Sequence, residues 1–168
     1  MDLFEAINQR RSVRKYRPDP VPREALDKIV ANGIEAPSGC NRQLRHYIIV
    51  DDPKTMDALR PFSGAFDKAP AAIVVVMDPQ GTPYGDFWMQ DASAAIENML
   101  LATVAMGYAA CWIEGALRNG EEELKQILNV PEDLRVWAIL PIGIAEGVPN
   151  RPDKKSFEES VSYNQYSG

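Results

Sequence analysis

The sequence predicts a single domain of mixed α and β structure. Its 168 residues are enough for one sizeable core, and 45% of them are hydrophobic. Apolar runs of strand length, such as 71-AAIVVVM-77, alternate with segments whose apolar residues recur at helical spacing. This alternation is typical of α/β and α+β folds. Because no internal repeat, linker or low-complexity segment interrupts residues 1–168, we expect one domain.

Apolar periodicity and helix-starting residues predict five helices. Asp2 suits the start of the first, and Pro22 suits the first turn of the second, which stops at 37-PSG-39. Asp52 and Pro53 open the third. The longest helix has many small apolar residues, which predicts close packing inside the domain or across a subunit interface. The predicted helices cover residues 2–10, 22–36, 53–60, 87–107 and 120–129.

Four apolar runs are predicted to be strands, and the segments around them to be loops. The Pro and Gly content predicts surface loops at 61–64 and 78–86. The polar segment 147–168 contains two prolines and two lysines, and we expect it to form an extended C-terminal arm. The predicted strands cover residues 47–50, 71–77, 108–113 and 136–145.

Charge, cysteine content and hydropathy argue against several classes of protein. A net charge of −6 disfavours a general nucleic-acid binder. Cys40 and Cys111 are too few for a disulfide framework, which favours a reducing compartment. The N-terminal residues have no apolar signal core, and no apolar run approaches the ~20 residues that a membrane helix needs. We therefore expect a cytoplasmic protein that binds neither membrane nor nucleic acid.

The sequence lacks the usual motifs of metal, nucleophilic and nucleotide-hydrolysing sites. His46 is the only histidine, so a Cys/His zinc site and a Ser-His-Asp triad are both disfavoured, and no metal is expected. Neither a GxxxxGK[ST] loop nor a GxGxxG motif after a strand occurs. An enzyme with so few acid–base residues would leave its chemistry to a cofactor.

A basic run near the N-terminus, 10-RRSVRKYR-17, is the first candidate binding feature. Arg10, Arg11 and Ser12 can hold one phosphate, because a guanidinium donates two parallel hydrogen bonds to its oxygens. In an extended segment, Arg14 points to the same side as Ser12 and can reach another part of the same ligand. Taken alone, the run could equally be a solvated charged face.

The turn 36-APSGCNRQ-43 is the second candidate feature. Gly39 allows the backbone to approach a ligand closely. Asn41 and Gln43 carry both donors and acceptors, which an amide-bearing ring requires. A helix stop followed by polar residues at the sheet edge is the plain structural alternative.

Two further features are weaker. In 112-WIEG-115 an apolar strand ends at an acidic residue and a glycine, so its backbone is free to meet the edge of a flat ring. The alternative is a strand that ends in an ordinary turn. Lys154 and Lys155 lie in the polar tail, where a solvated pair is the alternative to a binding role.

In order and spacing, these features resemble the nitroreductase-like FMN-dependent oxidoreductases. The resemblance spans about residues 2–162: RRSVR after a short helix, AP-S-x-x-N-x-Q after the second, the small-residue helix, GxxxCWIEG, PIGIAEG, and a basic segment before FEESV. It implies a nitroreductase-like α+β fold, with a central mixed sheet flanked by helices. It also implies an intertwined homodimer with two FMN sites at the subunit interface.

The resemblance implies a role for each candidate residue. The FMN phosphate or ribityl chain would be bound by Arg10, Arg11 and Ser12. The N1/O2 edge of the ring would lie near Arg14. The partner subunit would contribute Pro37, Ser38, Gly39, Asn41 and Gln43. The ring near N5 and O4 would face Trp112, Ile113, Glu114 and Gly115. The phosphate would be covered by Lys154 and Lys155.

The resemblance also implies a reaction. FMN would accept a hydride from NADH or NADPH and pass electrons to a second substrate in the same pocket, a ping-pong scheme that needs no protein nucleophile. The acceptor could be a nitroaromatic, a quinone, an enone or free flavin. Open alternatives are a flavin-binding or flavin-supplying module with little turnover, a branch of the family with specialised substrates, and a non-catalytic interaction domain.

The chain departs from the family pattern in three places. The phosphate-binding pair of the tail often contains arginine, whereas both candidates here are lysine. The Asn and Lys with which longer members contact the ring have no clear counterparts in 61-PFSGAFDKAP-70. Segment 78–90 is short where many members have helices that shape the substrate pocket, so the sequence does not select the acceptor.

Overall fold

Five α-helices surround a four-stranded sheet in the computed structural model, which describes residues 1–82 and 84–166. The helices are α1 Leu3–Gln9, α2 Arg23–Ile34, α3 Pro53–Leu59, α4 Trp88–Ala105 and α5 Glu121–Leu128. The strands are β1 Arg45–Val50, β2 Ala71–Met77, β3 Ala109–Ala110 and β4 Arg135–Gly143. The predicted α+β class is confirmed. Among the described residues, no helix has both the length and the hydropathy needed to cross a membrane.

The short helices begin at side-chain caps. A carboxylate oxygen of Asp2 accepts from the Glu5 N–H at 2.9 Å, and Asp52 accepts from the N–H and the hydroxyl of Thr55, both at 2.8 Å. These caps satisfy donors that the first turn leaves free. Pro22 is the N-cap of α2, with ψ of 140°, so this helix starts one residue later than predicted.

The sheet has the order β1-β2-β4-β3, and its three strand pairs are antiparallel. Strand β2 lies in the interior of the sheet, and all seven of its residues are buried, which explains why its bounds match the predicted run. A bulge shifts the register between Val75 and Val76, so Trp137 is the extra residue on β4. A parallel bridge between Ser12 and Ala110 adds a parallel component at the β3 edge, so the sheet is mixed there.

The predicted strand 108–113 is wrong over most of its length, because only Ala109 and Ala110 pair continuously with β4. The same register returns at the bridge between Ile113 and Ile139. Between these points Cys111 would face Pro141, which has no N–H to donate to a ladder. The Pro141 carbonyl instead lies 3.2 Å from the Tyr16 hydroxyl.

The predicted loop 61–64 contains helical turns. Residues Arg60–Phe62 and Gly64–Phe66 each form a 3-10 turn. The Arg60 guanidinium donates to the carbonyls of Phe66 and Ala69, each at 3.3 Å, and also to that of Asp67, which fixes the path of the chain between α3 and β2. The described part of the tail, 147–166, forms no helix or strand and is exposed throughout.

The core consists of two apolar layers, one on each face of the sheet. Helices α2 and α4 cover one face, with Leu26, Ile29, Ile96 and Met99 fully buried against β2 and β4. Helices α3 and α5 cover the other face, together with buried residues of segment 12–17. Segment 12–17 therefore packs as part of the core, and this brings the basic run to the edge of the sheet.

Candidate functional site

The basic segment leaves α1 and runs along the β3 edge of the sheet. The Val13 N–H donates to the Ala110 carbonyl at 3.1 Å, and the Arg17 N–H donates to the Ile144 carbonyl at 2.8 Å. Val13 and Tyr16 point into the core, at 3% and 0% exposure. With these two side chains buried, Ser12 and Arg14 remain accessible on the other side of the segment.

A cavity of about 620 Å³ opens beside this segment and the C-terminal arm. This volume is within the range of small-molecule and cofactor sites, about 300–1,000 Å³. Five basic side chains and one hydroxyl line it: Arg10, Arg11, Ser12, Arg14, Arg151 and Lys154. Glu97 of α4 is the acidic residue of the lining, and its carboxylate lies 3.7 Å from the Arg10 Nε. The cavity is therefore strongly cationic within a chain of net charge −6.

Arg11 is held in place but keeps an unused donor. Its Nη1 donates to the Asn8 carbonyl at 2.7 Å and to the Arg10 carbonyl at 2.8 Å, so it also satisfies carbonyls at the end of α1. Its Nε is buried and has no hydrogen-bond partner among the described residues. A buried donor of a charged group without a partner calls for an acceptor, which an anionic ligand in this cavity can supply.

The tail contributes to this cavity differently from what was expected. Lys154 lines it, whereas Lys155 is not part of the lining. Arg151 also lines the cavity, although the sequence did not predict it as a site residue. Pro149 and Pro152 flank Arg151 in the sequence, and such prolines favour an extended arm from which residues three apart can reach one site.

The second predicted feature lies outside this cavity. The loop between α2 and β1, residues 35–44, packs against the start of α4, where the Gly39 N–H donates to the Asp91 Oδ1 at 2.8 Å. A Cβ at Gly39 would lie 2.7 Å from a ring atom of Phe87, so only glycine fits there. None of residues 37–43 lines the cationic cavity of its own chain.

The backbone of this loop is unusual. Cys40, Asn41 and Gln43 have φ values of 53°, 52° and 55°, in the left-handed region that non-glycine residues rarely adopt. Each such residue costs on the order of 1–3 kcal/mol unless its surroundings determine it. Ser38 supports the turn locally, because its hydroxyl accepts from the Gln43 N–H at 3.1 Å and its carbonyl from the Asn41 N–H at 2.9 Å.

Segment 112–115 follows β3 and has free space beside its backbone at Gly115. Ile113 is buried and exchanges hydrogen bonds with Ile139, each at 3.0 Å. Glu114, at φ −140° and ψ −68°, precedes a 3-10 turn that begins at Gly115. A Cβ at Gly115 would meet no atom within 4 Å, so space for a ligand remains beside this backbone. The Trp112 Nε1 is buried without a partner among the described residues.

The titratable groups beneath the basic segment are neutral near pH 7. Burial raises the pKa of the Tyr16 phenol and of the Cys111 thiol, although Arg14 acts in the opposite direction on both. Neither group is therefore a ready proton acceptor or nucleophile. This site can therefore contribute fixed positive charge, and not an acid–base pair.

Fold and cavity together define an α+β domain whose sheet edge suits an anionic ligand. A model of the nitroreductase family matches residues 7–66 and 62–144, and the chain belongs to this family. The resemblance drawn from the sequence motifs is therefore confirmed.

Three known proteins illustrate the relationship. A Methanothermobacter thermautotrophicus relative is 32% identical over 91% of this chain and 82% of its own length. One from Archaeoglobus fulgidus is 34% identical over 95% of this chain and 91% of its own. Both bear the name "Putative NADH dehydrogenase/NAD(P)H nitroreductase". The solved structure of an FMN-dependent nitroreductase from Clostridium difficile R20291 has a TM-score of 0.84 and 28% identity, and the match covers 97% of this chain and 99% of that one.

Proposed function

We propose that this chain is an FMN-dependent oxidoreductase that transfers electrons from NADH or NADPH to a small-molecule acceptor, such as a nitroaromatic or a quinone, by a ping-pong mechanism. The observation that carries the proposal is the cationic cavity at the end of α1, within a family whose members include an FMN-dependent nitroreductase. The names of the two archaeal relatives support a nicotinamide electron donor.

The residues around the cavity fit a flavin mononucleotide. Arg10, Arg11 and Ser12 would hold the phosphate or the ribityl chain, and the unpartnered Arg11 Nε supplies a donor for it. Lys154 would cover the phosphate from the arm, and Arg151 adds a guanidinium beside it. Beside Lys154, the tail thereby brings to the cavity a group able to donate two parallel hydrogen bonds.

When bound, FMN supplies the redox chemistry, the transfer of a hydride and of electrons between donor and acceptor. The chain supplies position and electrostatics. Arg14 would lie at the N1/O2 edge of the ring, where its charge stabilises negative charge that develops on reduction. The open backbone at Ile113, Glu114 and Gly115 would meet the ring edge near N5 and O4, with Trp112 beside it.

A homodimer belongs to this proposal. Residues 37–43, including Pro37, Ser38, Gly39, Asn41 and Gln43, lie outside the cavity of their own chain, so a second copy is needed to bring them to it. Leu3, Phe4 and Ile7 of α1 are 60%, 76% and 50% exposed, which is the apolar surface that a second subunit would cover. A monomer at micromolar concentration that still holds FMN tightly would contradict this arrangement.

The first experiment tests for the flavin and its reduction. The purified protein should be yellow, and NADH or NADPH added without oxygen should bleach it. Bound FMN that neither nucleotide reduces would instead indicate a flavin-binding or flavin-supplying module. A colourless protein that fails to bind added FMN would indicate a non-catalytic domain and overturn the proposal.

The second experiment tests the assignment of the phosphate end. Arg11→Ala should weaken FMN binding by about tenfold or more, because a charge-assisted hydrogen bond is worth roughly 1.5–3 kcal/mol. Riboflavin has no phosphate, so its affinity should change little in the same variant. Equal losses for FMN and riboflavin would remove Arg11 from the phosphate site. A panel of nitroaromatics, quinones, enones and free flavins, with each nicotinamide donor, then identifies the acceptor class.

A further inference from the structure

The loop that carries Asn41 and Gln43 is supported by other elements as well as by its own Ser38. Three of its non-glycine residues, Cys40, Asn41 and Gln43, occupy the left-handed region. Such conformations persist only where surrounding contacts determine them. Segment 36–39 at the start of this loop makes hydrogen bonds with two side chains from other elements, Asp91 and Arg45.

Asp91 is a buried carboxylate that accepts a hydrogen bond from the backbone of the loop. It lies in the first turns of α4 at 7% exposure, and its Oδ1 accepts from the Gly39 N–H at 2.8 Å. None of the ion pairs among the described residues includes it. Burying a carboxylate is costly unless it is hydrogen-bonded, so its contact with the Gly39 N–H is the interaction that accounts for it.

Arg45 links the same loop to the same helix. From β1 its guanidinium donates to the Ala36 carbonyl at 2.7 Å and to the Pro37 carbonyl at 3.2 Å. Its Nη1 also donates to the backbone carbonyl of Asp91 at 3.2 Å. Arg45 and Asp91 therefore hold the first half of the loop from both sides, by its carbonyls and by its N–H.

We propose that Asp91 and Arg45 are positioning residues, which hold segment 36–39 so that Asn41 and Gln43 are presented to a flavin bound in the cavity of a second copy of this chain. The inference rests on the proposed function. Neither residue touches the flavin. Their effect is to keep the loop in the conformation that binds, because apparent affinity falls in proportion to the fraction of molecules in that conformation.

Asp91→Ala and Asp91→Asn form the matched pair of variants. Alanine removes the acceptor for the Gly39 N–H, and we expect FMN to bind about tenfold more weakly, or about 1.4 kcal/mol. Asparagine retains a carbonyl oxygen at the same place, so its affinity should stay within about threefold of the parent protein. His46→Ala is the control, because His46 is an exposed neighbour of Arg45 on β1.

Two further measurements separate positioning from general destabilisation. Riboflavin should lose the same factor as FMN in Asp91→Ala, because the loop contributes no phosphate ligand. In a double-mutant cycle, Asp91→Ala should have little further effect once Asn41 and Gln43 have been replaced by alanine, since it acts through them. A lower melting temperature with unchanged flavin affinity, or strictly additive losses in the cycle, would overturn the inference.

The outcomes also distinguish this inference from the proposed function. A parent protein that binds no FMN overturns both. A parent protein that binds FMN, with equal affinity in Asp91→Ala, overturns the positioning role alone. If Asp91→Ala does not fold, Arg45→Met removes the other half of the support and is judged by the same criteria: weaker binding of both flavins supports the inference, and unchanged binding refutes it.

Discussion

Replacing Tyr16 by phenylalanine tests how much the buried Tyr16 hydroxyl stabilises the basic segment. The Tyr16 ring is fully buried, and its hydroxyl donates to the Val13 carbonyl at 2.6 Å and is 3.2 Å from the Pro141 carbonyl. Phenylalanine keeps the ring and its packing but removes both contacts. The change therefore isolates the hydroxyl, which bonds within segment 12–17 to Val13 and lies beside Pro141 of β4.

The expected loss follows from these two contacts. One intramolecular hydrogen bond contributes a net ~0.5–1.5 kcal/mol, and a buried carbonyl left without a donor costs ~1–3 kcal/mol. Because the 3.2 Å contact is long for an O–H donor, most of the loss falls on the Val13 carbonyl. We expect the free energy of unfolding to fall by about 2 kcal/mol, which lowers the melting temperature of a protein of this size by about 4–8 °C.

Urea denaturation at a fixed protein concentration measures this loss, since the stability of the proposed dimer would depend on concentration. Tyr84→Phe is the matched control, because Tyr84 is 80% exposed. Removing its hydroxyl should change the free energy of unfolding by no more than about 0.5 kcal/mol. A Tyr16→Phe variant as stable as this control would refute the reasoning that the hydroxyl stabilises segment 12–17 through the Val13 carbonyl.

Three other predictions concern the flavin, the packing and the pH dependence. Arg14→Ala should weaken FMN binding and lower its reduction potential in a spectroelectrochemical titration, and an unchanged potential would remove Arg14 from the ring edge. Gly143→Ala should cost about 1–3 kcal/mol in the same urea assay, because its Cβ would lie 2.8 Å from Pro70 Cδ, whereas Gly64→Ala, with no atom within 4 Å, should cost nothing. Hydrogen bonds from the Arg135 guanidinium, on β4, hold the pKa of Glu121 below its ordinary 4.5. The Glu121–Arg135 pair therefore stabilises the fold above about pH 4.5 and loses its contribution as the pH falls further. Glu121→Gln should flatten that part of the stability profile, and a profile as steep as the parent's would contradict the assignment.

The local pattern predicted most of the secondary structure. The run 71–77 became β2 with the predicted bounds, because a buried central strand needs apolar residues on both faces. Asp2 and Asp52 marked helix starts correctly, since capping depends on residues within one turn. The strand expected over 108–113 failed because its partner is distant in sequence: Pro141 interrupts the ladder, and nothing near residue 111 signals this.

The same contrast between local and distant residues holds for the candidate site. Arg10, Arg11, Ser12 and Arg14 were found as a group because they are neighbours in sequence, and they do line one cavity. Arg151 and Glu97 were missed, since each reaches that cavity only through the path of the arm or the packing of α4. The support that Asp91 gives to Gly39 spans 52 positions and leaves no local pattern to detect.

The sequence by itself determined the α+β class, most of the helix and strand positions and the family, because these depend on periodicity, capping and short motifs that are local along the chain. Only the tertiary structure decided that the basic run closes a cavity with the arm, and that the 37–43 loop lies outside the cavity of its own chain. The physical reason is that a cavity is made by side chains from distant segments, whose meeting depends on how the whole core packs.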